Sequence, residues 1–196
     1  MMNVLVACEY SGTVREAFAK RGHFAVSCDL LESEISGNHY QGDVRDILDL
    51  GWDLMIAHPP CTFLSVSGMH WTTRGKRDPK LTEDALEFVQ LLMDAPIPRI
   101  ALENPISIIS SRIRKPDQII QPWWFGDDAS KKTCLWLKNL PLLQPTDKLP
   151  GDDKTRRANQ TPSGQNKLGP SDTRWKERSR TYQGIANAFA EQWGTL

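Results

Sequence analysis

The 196-residue sequence has no Cys-x-x-Cys pair, no apolar run long enough to cross a bilayer, and no excess of charge of either sign. Its four cysteines, Cys8, Cys28, Cys61 and Cys134, stand far apart, which excludes zinc-ribbon spacing and argues against a disulfide framework. His23, His39 and His70 form no ligand set, so no metal is expected. Lysine and arginine number 24, against 24 aspartates and glutamates. No global field therefore draws the chain onto nucleic acid or a membrane, and any such contact needs a local basic patch. The sequence begins directly on a strand-like run, with no secretory leader and no membrane span. A cytoplasmic protein is the expectation. Internal repeats are absent.

The composition, 39% apolar and 24% charged, is that of a globular chain, and the length suits one domain over residues 1–196. The first half alternates strand-like and helix-like segments. Residues 3–7 are a short apolar run suited to a strand buried on both faces. Residues 13–20 follow as a helix, with Thr13 and Glu16 as a capping box, Val14, Ala17 and Phe18 as its stripe, and Gly22 as its stop. Strands are expected at 24–28, more weakly at 40–44, and clearly at 54–57 and 99–102. Thr82 is placed to cap a helix running to about Met93. Such alternation predicts a parallel sheet with helices on both faces and ligands at the carboxyl ends of its strands. The second half has one more strand at 133–137 and a closing helix at 182–193. Between them, residues 140–180 read as an irregular polar and basic loop.

Two motifs lie at expected strand ends. His58-Pro59-Pro60-Cys61 follows the fourth strand, and its prolines restrict where the cysteine points. A cysteine held there is a nucleophile if positive charge favours its thiolate, or else a structural residue of a tight loop. Glu103-Asn104-Pro105 leaves the apolar run Ile100-Ala101-Leu102. A carboxyl group so placed is poorly solvated, and a raised pKa is expected, which would let it donate a proton to a ring nitrogen. The other reading of this motif is a surface turn begun by Asn-Pro.

Pro-Cys after one strand and Glu-Asn after the next resembles the DNA cytosine carbon-5 methyltransferases, and especially a compact branch of that family common in phage genomes. The likeness spans most of the chain. Cys8-Glu9-Tyr10-Ser11-Gly12-Thr13-Val14-Arg15 stands where the family has its cofactor loop, and Tyr182-Gln183-Gly184-Ile185-Ala186 resembles its last block. The resemblance implies an α/β, Rossmann-like methyltransferase fold and the cofactor S-adenosyl-L-methionine. It places Glu9, Tyr10, Ser11, Gly12, Thr13, Asp29, Leu30, Asp43, Val44, His58 and Pro60 at the cofactor. It makes Cys61 the nucleophile at cytosine carbon-6, Glu103 the partner of ring nitrogen-3, and Asn104 the residue that orients the Glu103 loop. The family's phosphate-gripping block is only approximated by Lys131-Lys132-Thr133.

The chain also departs from the family. Its cofactor loop has one glycine, Gly12, where several are usual, and Thr62 follows the cysteine in place of glutamine. There is no room for a separate target-recognition domain. The stretch from Arg156, Arg157 and Asn159 through Gln165 and Asn166 to Arg174, Lys176 and Arg178 offers phosphate and base-edge contacts, or else a solvated loop. Trp123-Trp124-Phe125 suits stacking on a base or packing in a core. The expected partner is DNA, as a flipped base in a duplex or as a single strand, or a free cytosine nucleotide. An external partner could supply recognition, and the oligomeric state is open. The other reading is a catalytically silent cofactor- or DNA-binding module, such as a viral decoy.

Overall fold

A computed structural model describes residues 1–196, apart from the side chains of residues 67 and 68. Its seven strands are β1 Asn3–Ala7, β2 Phe24–Asp29, β3 His39–Gln41, β4 Leu54–Ala57, β5 Arg99–Pro105, β6 Gln118–Ile120 and β7 Thr133–Lys138. They form one sheet in the order β3-β2-β1-β4-β5-β7-β6. β1 to β5 are parallel, whereas β7 runs antiparallel to both β5 and β6. The protein has the α/β, Rossmann-like fold, with its mostly parallel sheet covered on two faces.

The alternation within β1 shows how the faces divide. Val4 and Val6 join one core with the helices α1 (Thr13–Ala19) and α6 (Gln183–Trp193), through Phe18, Phe189 and Trp193. Leu5 and Ala7 join the opposite core with α3 (Lys80–Met93), through Leu86, Val89 and Leu92. Period-two alternation in a strand sealed on both sides requires apolar residues at both parities, hence the uniform run.

Local signals failed where tertiary partners took over. The expected capping box does not form: Thr13 makes no cap, and Gly12 in the left-handed region precedes the helix. The Glu9 carboxylate accepts instead from the amides of Val14 (2.7 Å) and Arg15 (3.2 Å). Thr82 does not cap α3 either. That helix begins at Lys80, and buried Thr82 donates to the Phe63 carbonyl. The third strand covers residues 39–41 rather than 40–44. β5 runs through Pro105, three residues beyond the expected end, because β7 continues to pair with it after β4 has stopped. Three short helices and β6 carried no sequence signal: α2 (Val66–Thr73), α4 (Ile109–Arg112) and α5 (Arg174–Ser179).

One glycine is fixed by a close approach. A Cβ on Gly184 would collide with the Phe125 carbonyl oxygen, and the Gly184 amide donates to Asp127 Oδ2 at 2.9 Å. Gly184→Ala is therefore expected to cost about 1–3 kcal/mol of stability. A thermal unfolding midpoint unchanged from wild type would contradict that packing.

Candidate active site

The strand order reverses between β1 and β4, and at such a point a parallel sheet opens a crevice beyond its carboxyl ends. A cavity of about 260 Å³ lies there, lined by Cys8, Asp29, Asp43, Val44, Pro60 and Phe88 among others. Five of the residues placed at a cofactor from sequence thus share one wall: Asp29, Leu30, Asp43, Val44 and Pro60. Cys8, the first residue of the motif likened to a cofactor loop, lines it too, as do Cys28, Arg45 and Phe88, which had no sequence signal. Asp29 Oδ1 accepts from the Leu31 amide at 2.9 Å, and partial burial raises its carboxyl pKa. Asp43 is held by Arg45, which donates to Oδ1 from its amide (2.9 Å) and to Oδ2 from its guanidinium (2.8 Å). Burial pushes the Cys28 thiol up to about 12 and the Cys8 thiol higher still, so both behave as inert lining.

Beyond Cys8, the loop between β1 and α1 does not line this cavity. Glu9 is 4% exposed, and its carboxylate is spent on the start of α1, with Ser11 Oγ as a further donor at 3.2 Å. Thr13 donates its amide to Ser11 Oγ. Buried Tyr10 reaches the other way, donating its hydroxyl to the Lys176 carbonyl at 2.9 Å and lying 3.0 Å from Ser179 Oγ. At Gly12 (φ 72°) a Cβ would meet the Arg15 guanidinium at 2.8 Å. Arg15, 1% exposed, ties this loop to the one after β2 by donating to Ser27, Ser33 and the Ile35 and Ser36 carbonyls. A lone arginine beside an apolar stripe gave no sign of that role.

Beside the cavity, the tips of β4 and β5 are stitched together. His58 Nδ1 lies 3.0 Å from Glu103 Oε2, Asn104 Nδ2 donates to the Pro59 carbonyl at 2.8 Å, and the Ile108 amide donates to the Leu64 carbonyl at 3.0 Å. His58 Nε2 is buried and unpartnered among the described residues. A bare lone pair there costs less than a buried N–H, so the proton belongs on Nδ1, donated to Glu103. Sequence reasoning put His58 at a cofactor; its side chain faces the carboxylate instead, and it does not line the cavity.

Glu103 corrects an expectation. Its carboxyl pKa is lowered, not raised. Burial alone would raise it, but hydrogen bonds from His58 and Thr133 and the positive charge of Lys131 outweigh burial. Cys61 follows Pro60, which lines the cavity, and its carbonyl accepts from the Leu64 and Ser65 amides. The residue reaches solvent, yet surrounding protein and the Glu103 charge raise its thiol pKa, against the opposing pull of Lys131 and Arg178. At rest the pair is a thiol beside a carboxylate.

Lys131 is the cation common to both groups. Its Nζ donates to the Arg178 and Arg180 carbonyls at 3.0 and 3.4 Å, which anchors α5 next to Cys61. Lys132 pairs with Asp153 at 3.4 Å on the surface, and the buried Thr133 Oγ1 lies 3.1 Å from the Lys131 carbonyl. Asn159 is pinned by the Ser130 peptide, accepting from its amide and donating to its carbonyl. Arg157 is 5% exposed, its guanidinium 4.6 Å from the Trp123 ring and 3.8 Å from Asp128, and so packs inward. Arg174 is half-buried in α5. Trp123 and Phe125 are core residues.

Among the described residues no cluster of metal-ligating side chains occurs, and no helix is long and apolar enough to cross a membrane. No family model and no curated protein matches the sequence. The fold is shared with solved methyltransferase structures. A protein described as a DNA modification methyltransferase encoded within a prophage (E. coli) is 16% identical with a TM-score of 0.50, over 82% of this chain and 57% of that one. The Entamoeba histolytica methyltransferase EhMeth is 16% identical with a TM-score of 0.51, over 76% of this chain and 58% of that one. The chain thus matches well under two thirds of either structure's length.

Proposed function

We propose that the protein is an S-adenosylmethionine-dependent methyltransferase acting on carbon-5 of cytosine in DNA, with Cys61 as nucleophile and Glu103 as its acid partner. The observation that carries this reading is the stitching of the β4 and β5 tips, which couples a thiol to a carboxyl group one residue beyond Pro60 of the cavity that Asp29 lines. The shared fold supports it. The cavity fits the cofactor chemically: Asp29 at the end of β2 suits ribose hydroxyls, and Val44, Pro60 and Phe88 provide apolar walls for an adenine. When bound, the cofactor supplies an electrophilic methyl group from its sulfonium.

Cytosine carbon-5 is too electron-poor to accept that methyl unaided. Addition of the Cys61 sulfur at carbon-6 pushes an electron pair into the ring toward nitrogen-3, where a proton stabilises the adduct. This chemistry needs a thiolate and a protonated Glu103, the reverse of the resting pair. Passage of the thiol proton to Glu103 produces both at once without changing the net charge of the site. Lys131 and Arg178 favour the thiolate, and His58 keeps Glu103 in place. Once carbon-5 carries the methyl group, loss of its proton to water and return of the nitrogen-3 proton to Glu103 restore the ring and expel the Cys61 thiolate.

Methyl incorporation into cytosine-containing DNA, read by mass spectrometry as 5-methylcytosine, tests the proposal. Absence of methylation of duplex, single strand and free nucleotide alike would leave a binding module instead. Asp29→Ala is expected to weaken S-adenosylmethionine binding by about tenfold, the scale of a hydrogen bond to a charged group. Unchanged affinity by calorimetry would remove Asp29 from the cofactor site.

A further inference from the structure

The charges of the chain are segregated, although they sum to zero. Residues 61–80 carry four cations and one acid, and residues 148–180 carry nine cations and four acids. The rest of the chain therefore bears eight more acids than bases. Both basic segments attach beside Cys61. Arg77 donates to the carbonyl of Thr62 at 3.0 Å, and Lys131 holds the Arg178 and Arg180 carbonyls. The reactive cysteine thus sits between two cationic flanks. Arg74, Lys76, Lys167 and Lys176 enter no ion pair among the described residues.

Each flank also presents one exposed tryptophan with a lysine over its ring. Of the seven tryptophans only Trp71 (43%) and Trp175 (53%) are exposed. Lys76 lies 5.2 Å from the Trp71 ring centre, and Lys176 lies 5.6 Å from that of Trp175. A large aromatic beside cations is the pairing that single-stranded nucleic acids require, because each base offers a free face and each nucleotide a phosphate. A duplex hides those faces in its own stack. The second flank also holds a cavity of about 330 Å³ between Lys167, Leu168, Arg180 and Tyr182, on the scale of one small ligand.

We infer that the two flanks form one groove for a single-stranded polynucleotide that runs across Cys61, with bases stacked on Trp71 and Trp175. This rests on the reading of Cys61 as the reaction centre, and it makes the substrate a strand rather than a mononucleotide or an intact duplex. Phosphates bind the free lysines and arginines, so affinity falls as salt rises.

The test is fluorescence anisotropy of the whole chain with a labelled cytosine-containing single strand of about 12 nucleotides, within the span of known single-strand grooves. The same sequence as a duplex, and dCMP, serve as competitors. The strand is expected to bind best, with the other two competing about tenfold more weakly or worse. Trp71→Ala and Trp175→Ala are each expected to weaken strand binding about fivefold or more, the lower end of one lost stacking contact. Their unfolding temperatures should match wild type, since both side chains are exposed. Equal competition by duplex or dCMP, or wild-type binding by both variants, overturns the groove. Methylation of the same strand, measured in parallel, separates the two ideas. Strand binding without methylation removes the enzyme and keeps the groove. Methylation of dCMP without strand binding does the opposite.

Discussion

Cys61→Ala is expected to lower methyl transfer by on the order of 10⁴-fold or more, because no other group can open the carbon-5 position to attack. Cofactor affinity should stay within about twofold, since Cys61 is not among the residues that line the pocket. The loop itself should survive. It is pinned by the Cys61 carbonyl, which accepts from the Leu64 and Ser65 amides, and by Pro59, whose carbonyl binds Asn104. Methyl incorporation and calorimetry on one preparation separate the two effects. Substantial activity in the variant would end the covalent mechanism. Loss of cofactor binding alongside activity would instead mean that the substitution had collapsed the loop.

Glu103→Gln should act in two opposite directions. Methyl transfer is expected to fall by about 10²- to 10³-fold, because an amide can offer nitrogen-3 a hydrogen bond but not a proton. The Cys61 thiol should nevertheless become more reactive toward iodoacetamide at pH 8. The negative charge of Glu103 is one of the influences that raise the Cys61 pKa, so its removal lowers that pKa and increases the thiolate fraction. Slower or unchanged alkylation would show that the two groups are not coupled. The same carboxyl group gives a stability signature. Its folded pKa lies below the unfolded value, so its contribution is complete above the ordinary carboxylate range and is lost as pH falls through the depressed value. Glu103→Gln should flatten that acid limb of the stability profile.

The opposite directions follow from a geometry with two chemical states. The resting protein has a proton on sulfur and a charge on the carboxyl group, and the proposed reaction needs them exchanged. Lys131 links this poise to the covering helix α5, because one ammonium group both acts on Cys61 and Glu103 and holds the carbonyls of Arg178 and Arg180.

Much of the framework was legible because its signals are local. β1, β2, β4 and β5 are short apolar runs of a kind that only a doubly covered strand can bury, and the residues after β4 and β5 stand out by their prolines and their abrupt change to polar side chains. The strand β3 was legible only weakly and with shifted bounds, and β6 and the short helices α2, α4 and α5 were not legible. Three to eight residues exposed on one side carry too little periodicity to read. Helix caps failed for a different reason. Thr13 and Thr82 have the right residue type, but Glu9 and the chain before Lys80 reach those helix starts first.

Sequence alone determined the order of strands and motifs, hence which side chains are delivered to the carboxyl edge of the sheet, because strand burial and proline restriction act within a few residues. Tertiary structure alone decided the ionisation of those side chains. His58 is 45 positions from Glu103 in the chain, Thr133 begins a strand that pairs antiparallel and Lys131 lies just before it, and the charge of Arg178 comes from a helix nearly at the end. Electrostatic energy depends on distance through space and on the water excluded between charges, and neither is written in the order of residues.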